Sequence, residues 1–360
     1  MGIIDWYIIK KYLTTFIFTV AIFCIVIVIF DMSEKIDDFL KYKAPFSKVF
    51  LEYYALGSLP FFINMLTPLF NFIAVIFFTS KMADQTEIVP ILSGGMSFYR
   101  MLRPYLFSAG LIFVFSFVSN LYIIPYTNKV KVQFENVYVK PNKVSTTAQS
   151  THMQIDSNSY VYIDNFDTKR GIGYNFVLEK FDGDNLTEKL MADRITWDSV
   201  STKWKIENYT NRKINGLNEE MEKGASRDTT LDMLPKDFEA YENIFTAMDT
   251  RELNQRIEKE EIRGTGMMNE LLLEKYKRYI NPFSAFILTL IGVALSSKKV
   301  RGGIGVSLGI GIALSCAYIV LERFSSMFSL KGGLDPLISV LIPNVLFLIL
   351  GIILILKAPK

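Results

Sequence analysis

Residue types able to do chemistry are sparse in this 360-residue chain. Its one histidine, His152, stands in strand-like alternating sequence without a second histidine or cysteine nearby; a metal site needs several such ligands, so a surface or edge position is expected. Both cysteines, Cys24 and Cys316, fall inside apolar runs, where a thiol acts as a small hydrophobe and no disulfide framework is implied. Gly302, Gly303, Gly305, Gly309 and Gly311 are rich enough in glycine for a phosphate loop but lack the Lys-Ser/Thr that such a loop requires. At the mouth of an apolar run, the four-residue spacing of Gly305 and Gly309 predicts close helix packing instead. Asn185-Leu186-Thr187 and Asn208-Tyr209-Thr210 match the glycosylation acceptor pattern, which recurs by chance and is given no role. With no nucleophile elbow, zinc signature or carboxylate pair placed by spacing, neither catalysis nor a cofactor or metal is expected.

Three other groupings point to binding. Asp84-Gln85-Thr86-Glu87-Ile88-Val89-Pro90-Ile91-Leu92-Ser93-Gly94-Gly95-Met96-Ser97 is a short amphipathic segment with an acidic start and a Gly-Gly stop. It suits a helix lying on lipid or one docking into a partner. Pro90 removes a hydrogen bond at a cost of ~3 kcal/mol inside a helix but is tolerated in the first turn, so the helix is predicted to begin close to Glu87. Polar residues interrupt apolar runs at Asn64, Thr67, Asn71, Asn120, Glu322 and Asn344; such groups normally face a bundle interior or cavity, the amides as packing glue. A basic set, Lys35, Lys41, Lys43, Lys129, Lys131 and Arg323, flanks apolar runs. An apolar cavity with a basic rim would suit an amphiphile carrying phosphates on a sugar head and several acyl tails.

The elements that must hold these groups are six apolar runs, 13–31, 58–80, 104–125, 280–297, 304–322 and 336–356. Each approaches the ~20 residues that cross a ~30 Å hydrocarbon core, and a span must satisfy its own backbone, so each is a helix. The first run is too long for a signal-peptide core and is followed by Asp31-Met32-Ser33-Glu34 rather than a small-residue cleavage site, so it is expected to be retained. Lys10, Lys11, Lys81, Arg100, Arg103, Lys298, Lys299, Arg301, Lys357 and Lys360 all fall on one side of the six runs. That side is expected to be cytoplasmic, with both termini on it. Lys35, Lys41, Lys43 and Lys48 on the other side are diluted by Asp31, Glu34, Asp37, Asp38 and Glu52. A net charge of +3, with no basic cluster interleaved with aromatics outside the membrane flanks, excludes nucleic acid as partner.

The runs leave a polar stretch large enough to bury a core of its own. Tyr160-Val161-Tyr162-Ile163, Tyr174-Asn175-Phe176-Val177-Leu178 and Trp204-Lys205-Ile206-Glu207 alternate with period two. Turn-rich pieces such as Asp182-Gly183-Asp184-Asn185 and Asn215-Gly216 separate them, which predicts antiparallel strands in a sandwich or roll. Asp249-Thr250-Arg251-Glu252 predicts a helix carrying Leu253, Ile257 and Ile262 that stops near Gly264, followed by a second with Leu271, Leu272, Tyr276 and Tyr279. The expected architecture is an α-helical membrane protein of six spans with an all-β, jellyroll-like domain between the third and fourth. Residues 1–127 hold spans one to three and the helix at 84–97, 128–270 the β domain with a helical connector, and 271–360 the remaining spans.

The chain resembles the LptF/LptG (YjgP/YjgQ-like) permease family along essentially its whole length. The resemblance is carried by Tyr276-Lys277-Arg278-Tyr279-Ile280-Asn281-Pro282-Phe283, Gly292-Val293-Ala294-Leu295, Arg301-Gly302-Gly303-Ile304-Gly305, and Pro336 with Leu341-Ile342-Pro343-Asn344-Val345-Leu346-Phe347. Glu87-Ile88-Val89 through Gly94-Gly95-Met96-Ser97 resembles the family's coupling helix. The resemblance implies an inner-membrane subunit of lipopolysaccharide export. Its implied partners are a second LptF/LptG-type permease, a cytoplasmic LptB-like ATPase dimer, and an LptC-like protein that stacks on a periplasmic β-jellyroll. Membrane lipids surround the spans. Carried over by position, Glu87 is the acidic residue of the coupling helix, Ile88, Val89, Ile91 and Leu92 would fill the ATPase groove, and Lys35 is one of the phosphate contacts. Val28 stands where some LptG chains place a lysine, and the basic pair after the third span is shifted to Lys129 and Lys131. Tyr7-Ile8-Ile9-Lys10 with Leu13-Thr14-Thr15 looks more like LptG than LptF. Two readings from other classes stay open: a membrane-anchored receptor or scaffold, and an ion-coupled transporter using Asn64, Asn71 and Glu322.

Overall fold

The computed structural model describes residues 2–139, 147–167, 170–216, 218–238, 244–264, 266–297 and 303–357. Lys298, Lys299, Arg301, Gly302 and Lys360 of the sequence reading lie outside them. Two compact units are present, Met1–Phe134 with Thr246–Thr250 and Leu272–Lys360, and Glu135–Phe245 with Arg251–Leu271.

Six helices in the described residues are long and apolar enough to cross a membrane: Ile3–Lys41, Phe46–Asp84, Phe98–Tyr138, Met268–Ser296, Gly303–Lys331 and Pro336–Leu356. The last coincides with its apolar run; most of the others extend past theirs. Hydropathy marks only the part that suits hydrocarbon, whereas the backbone keeps its helical bonds through flanks with polar faces. The first helix, 39 residues long, measures ~58 Å at ~1.5 Å per residue, about twice the core thickness.

The second and third helices each contain a π-helical stretch, Val49–Ser58 and Ser119–Ile123. Each ends two residues before a proline, Pro60 or Pro125. Proline lacks an N–H and crowds the carbonyl four residues back, here Leu56 or Leu121 within the π stretch, so wider hydrogen bonding absorbs the misfit.

The helical unit is held by an aromatic-rich core. Ile8, Tyr12 and Phe16 of the first span meet Phe70, Val75 and Phe78 of the second, Met101 and Tyr105 of the third, and Ala285 and Val293 of the fourth. A second cluster joins Phe72, Ile76, Leu288, Ile291, Tyr318 and Phe347. The amides within the spans serve as glue. Asn71 donates to Ala285 O at 3.0 Å and Thr289 Oγ1 at 3.1 Å, while the Tyr12 hydroxyl contacts Asn71 and lies 2.7 Å from Thr289 Oγ1. Asn64 donates to Asn120 at 2.8 Å, and Tyr318 to Asn344 at 3.1 Å.

Small residues allow close approach, though not where the spacing of Gly305 and Gly309 suggested. A Cβ on either would meet nothing within 4 Å, whereas one on Gly292 would lie 2.8 Å from Val75 Cγ1 and 3.2 Å from the Phe72 ring. Gly311 likewise faces Ile76. Spacing names a helical stripe but not the neighbour it turns toward. Gly292→Ala is expected to cost about 1–3 kcal/mol by overpacking, read as a lower unfolding midpoint in detergent; an unchanged midpoint would show that the second span yields freely.

The other unit contains one six-stranded antiparallel sheet in sequential order: β1 Thr147–Asp156, β2 Ser159–Asp167, β3 Ile172–Asp182, β4 Asn185–Asp198, β5 Lys203–Asn215 and β6 Asn218–Thr229. Among the described residues the strands form a single sheet connected as a meander rather than two stacked sheets. Asp182 pairs with Asn185 around Gly183, whose φ is +57°, the left-handed conformation that glycine adopts without steric cost. Alternation puts Val161, Ile163, Phe176, Leu178, Trp204 and Ile206 on one buried face, closed in part by Met233 and Phe238. Trp204 Nε1 donates to Met233 O at 2.9 Å. Helix Thr250–Arg263 buries Leu253 and Ile257 but leaves Ile262 exposed, since Ile262 lies off their stripe, and Gly264 ends it at φ +56°. His152 is exposed and lies against Tyr162.

Two carboxylates of the sheet favour their charged forms. Burial works to raise Glu188, but Lys180 at 2.9 Å and Asn211 at 2.8 Å overcome it and hold the carboxyl below its ordinary range. The Asn158 N–H does the same for Asp156. Depressed folded values mean that the stabilisation is complete above the unfolded carboxylate range and is lost as pH falls through the folded values. The sheet unit is therefore expected to lose stability progressively below about pH 5. Denaturant unfolding of the full chain carrying Trp6→Phe, followed by Trp197 and Trp204 fluorescence, checks this; stability flat down to pH 3 would contradict it.

Candidate functional site

The segment between the second and third spans folds as anticipated around Pro90. The helix is Ile88–Ser93 with Glu87 at its N-cap, so Pro90 lies in the first turn, and it stops at Gly94 before Gly95 with φ +91°. The six-residue helix divides its apolar residues sharply. Ile88 is 2% exposed and belongs to the chain's own core, Val89 is 65% exposed, and Ile91 and Leu92 pack half-buried against the core. Ile88 would thus be unavailable to any partner docking without unfolding the segment, and Val89 is the apolar residue that projects.

Glu87 is not a free carboxylate. Lys11 donates to its two oxygens at 3.0 and 3.3 Å and Tyr7 at 2.9 Å, and the Lys11 ammonium lies 4.3 Å from the Tyr7 ring centroid. Beside it a groove of about 360 Å³ is lined by Ile3, Ile4, Tyr7, Glu87, Pro90 and Ile91, a size common in ligand pockets. Downstream, Arg100 grips Asp5 with 2.8 and 2.7 Å bonds. In the sequence Lys11 and Arg100 read only as topology signals, because pairs 76 and 95 residues apart leave no local spacing to read.

The other end of the first two spans holds a larger groove, about 510 Å³, walled by Val26, Ile27, Phe30, Phe62, Met65 and Leu66, with Asp31, Ser33 and Glu34 at its polar edge. Three of the six predicted basic residues converge on it through its lining. Lys131 lies over the rings of Phe61 at 4.4 Å and Phe62 at 5.3 Å. Arg323 is 3.1 Å from Met65 Sδ. Lys35 pairs with Asp31 at 3.0 Å and also contacts the Tyr53 hydroxyl. Its Asp31 partner is the part that sequence spacing could have revealed, since Asp and Lys four apart share a helix face. None of the six is itself a lining residue, and Lys41, Lys43 and Lys129 are exposed, as is Arg323. Lys41 lies over Tyr42. Glu322, a candidate for ion coupling, is 3.4 Å from Lys277 and accepts from Asn281 at 3.3 Å.

Six apolar helices, a separate β unit between the third and fourth in the chain, and a short helix between the second and third are the arrangement of a multi-pass membrane protein with an inserted β unit. The chain belongs to the Lipopolysaccharide export system permease LptF/LptG family, which it matches over residues 6–357. That match covers the two chain types jointly and fits an inner-membrane protein with a role in lipopolysaccharide export. No curated protein matches it in sequence.

Proposed function

We propose that this chain is one of two paired permeases that draw lipopolysaccharide out of the inner membrane, powered by a separate ATPase dimer docked at Ile88–Ser93. In this reading the termini and the docking helix are cytoplasmic, and the β unit is periplasmic, where it passes lipid to an LptC-like bridge. The start of the chain favours the LptG role. The single observation that carries the reading is the placement of two features on opposite ends of the same two spans. One is a short helix projecting Val89, and the other is an apolar groove whose lining residues Asp31, Phe62 and Met65 are contacted by Lys35, Lys131 and Arg323.

Energetics explain the arrangement. Exposing acyl tails costs ~0.8 kcal/mol per CH₂, so one chain of ordinary length costs on the order of 10 kcal/mol and unassisted release is negligible. Groove walls of Val26, Ile27, Phe30 and Leu66 replace the lipid environment, and the cations that contact its lining suit phosphates of a sugar head. A volume of about 510 Å³ matches a drug-sized ligand and holds a segment of one tail, so several tails require a second permease to complete the cavity.

A photocrosslinker at Phe62, in membranes containing labelled lipopolysaccharide and the copurified ATPase, tests the reading. Capture that declines when ATP is supplied supports it. An anchored scaffold predicts no capture, as does an ion-coupled carrier of another solute, and absence of capture with the ATPase bound would overturn the lipid assignment.

A further inference from the structure

Both ends of the segment joining the second and third spans are strapped to the same two turns of the first helix. At the leading end, Glu87 takes Lys11 at 3.0 Å and Tyr7 at 2.9 Å. At the trailing end, Arg100 holds Asp5 through two bonds, and Asp5, only 3% exposed, also accepts from Gly2 N at 2.8 Å. Ile88 between them is fixed in the core. Paired, hydrogen-bonded charges of this kind are costly to separate when partly dehydrated. Displacing Ile88–Ser93 therefore pulls on the first helix before it pulls on anything else the segment grips by charge among the described residues.

The first helix is built to carry such a pull. Among the six described spans it alone contains neither proline nor glycine, the residues at which helices kink. The second and third are also interrupted by π stretches. The far part of the same helix supplies Val26, Ile27, Phe30 and Asp31 to the lipid groove.

We infer that the first helix is a rigid rod, and that Asp5, Lys11 and Arg100 are positioning residues that transmit movement of the docking helix to the groove at its other end. This rests on the proposed docking of an ATPase at Ile88–Ser93. The inference differs from that docking in naming the element that moves and the contacts that move it.

The test uses the full chain with its ATPase in nanodiscs, in a Cys24→Ser, Cys316→Ser background. Spin labels are placed at exposed Leu40 on the first helix and Leu330 on the fifth. In the unsubstituted chain the label distance shifts when ATP and vanadate are added. Lys11→Ala with Arg100→Ala retains the ATPase but loses the shift, and lipid released per ATP falls about fivefold or more, the lower end of ordinary coupling. Exchanging the charges by Asp5→Arg with Arg100→Asp keeps the shift and also controls for folding. A shift that persists in the Lys11, Arg100 double variant with the ATPase bound overturns the rod and leaves the docking intact. Loss of the ATPase from that variant overturns it as well, because the pairs would then serve attachment. Failure of the unsubstituted chain to hold any ATPase overturns the docking and the rod together.

Discussion

Val89→Asp is expected to abolish capture of the ATPase while leaving the permease folded. Val89 is 65% exposed on a six-residue helix, so a carboxylate there meets water in the free chain and costs the fold little. In a docked complex the same group would be buried in an apolar cleft without a partner. Truncating a central anchor costs about 2 kcal/mol or more, and an unpaired buried charge costs further. Affinity should fall at least ~30-fold at ~1.4 kcal/mol per decade. The readout is the ATPase retained on the tagged permease, with the thermal midpoint as control. Ile88→Ala provides the contrast: it empties a core position and is expected to destabilise the chain by about 2–5 kcal/mol without removing a docking contact. If Val89→Asp retains the ATPase, the docking surface lies elsewhere.

The second large effect concerns Lys35. Its side chain is 17% exposed and that of Asp31 9%, so Lys35→Ala strands a carboxylate beside the apolar groove. Breaking one side of a buried pair costs about 3–5 kcal/mol, and both midpoint and lipid capture should fall. Asp31→Asn with Lys35→Gln removes both charges and keeps hydrogen-bonding groups; it is expected to recover the midpoint but not the crosslink to lipopolysaccharide. That separation distinguishes a phosphate contact from a purely structural pair. Crosslinking restored along with stability would remove Lys35 from the lipid site. Lys35 is already paired with Asp31, so a phosphate that reached it would have to share or displace that carboxylate.

The other basic residues occupy a different position. Lys41, Lys43 and Lys129 resemble the others in sequence, yet among the described residues it is Lys35, Lys131 and Arg323 that contact the groove lining, at Asp31, Phe62 and Met65, while Lys41 lies over Tyr42. Composition cannot make this distinction, since a lysine near a span end looks the same whether its stem lies along an aromatic ring or in water.

By itself the sequence determined what depends on local chemistry. Six long apolar runs require helices because lipid leaves no other partner for the backbone. Period-two alternation with Gly183 and Gly216 at the turns specified strands, and Pro90 with Gly94-Gly95 bounded the short helix Ile88–Ser93. Tertiary structure alone decided which side of each element meets a neighbour. It turned Gly292 and Gly311, rather than Gly305 and Gly309, against the second span, buried Ile88 and exposed Val89 one residue apart, and joined Glu87 to Lys11 across 76 residues. Periodicity fixes the angle between residues on one helix, but the rotation of that helix about its own axis follows from packing summed over all its neighbours, which no local stretch of sequence contains.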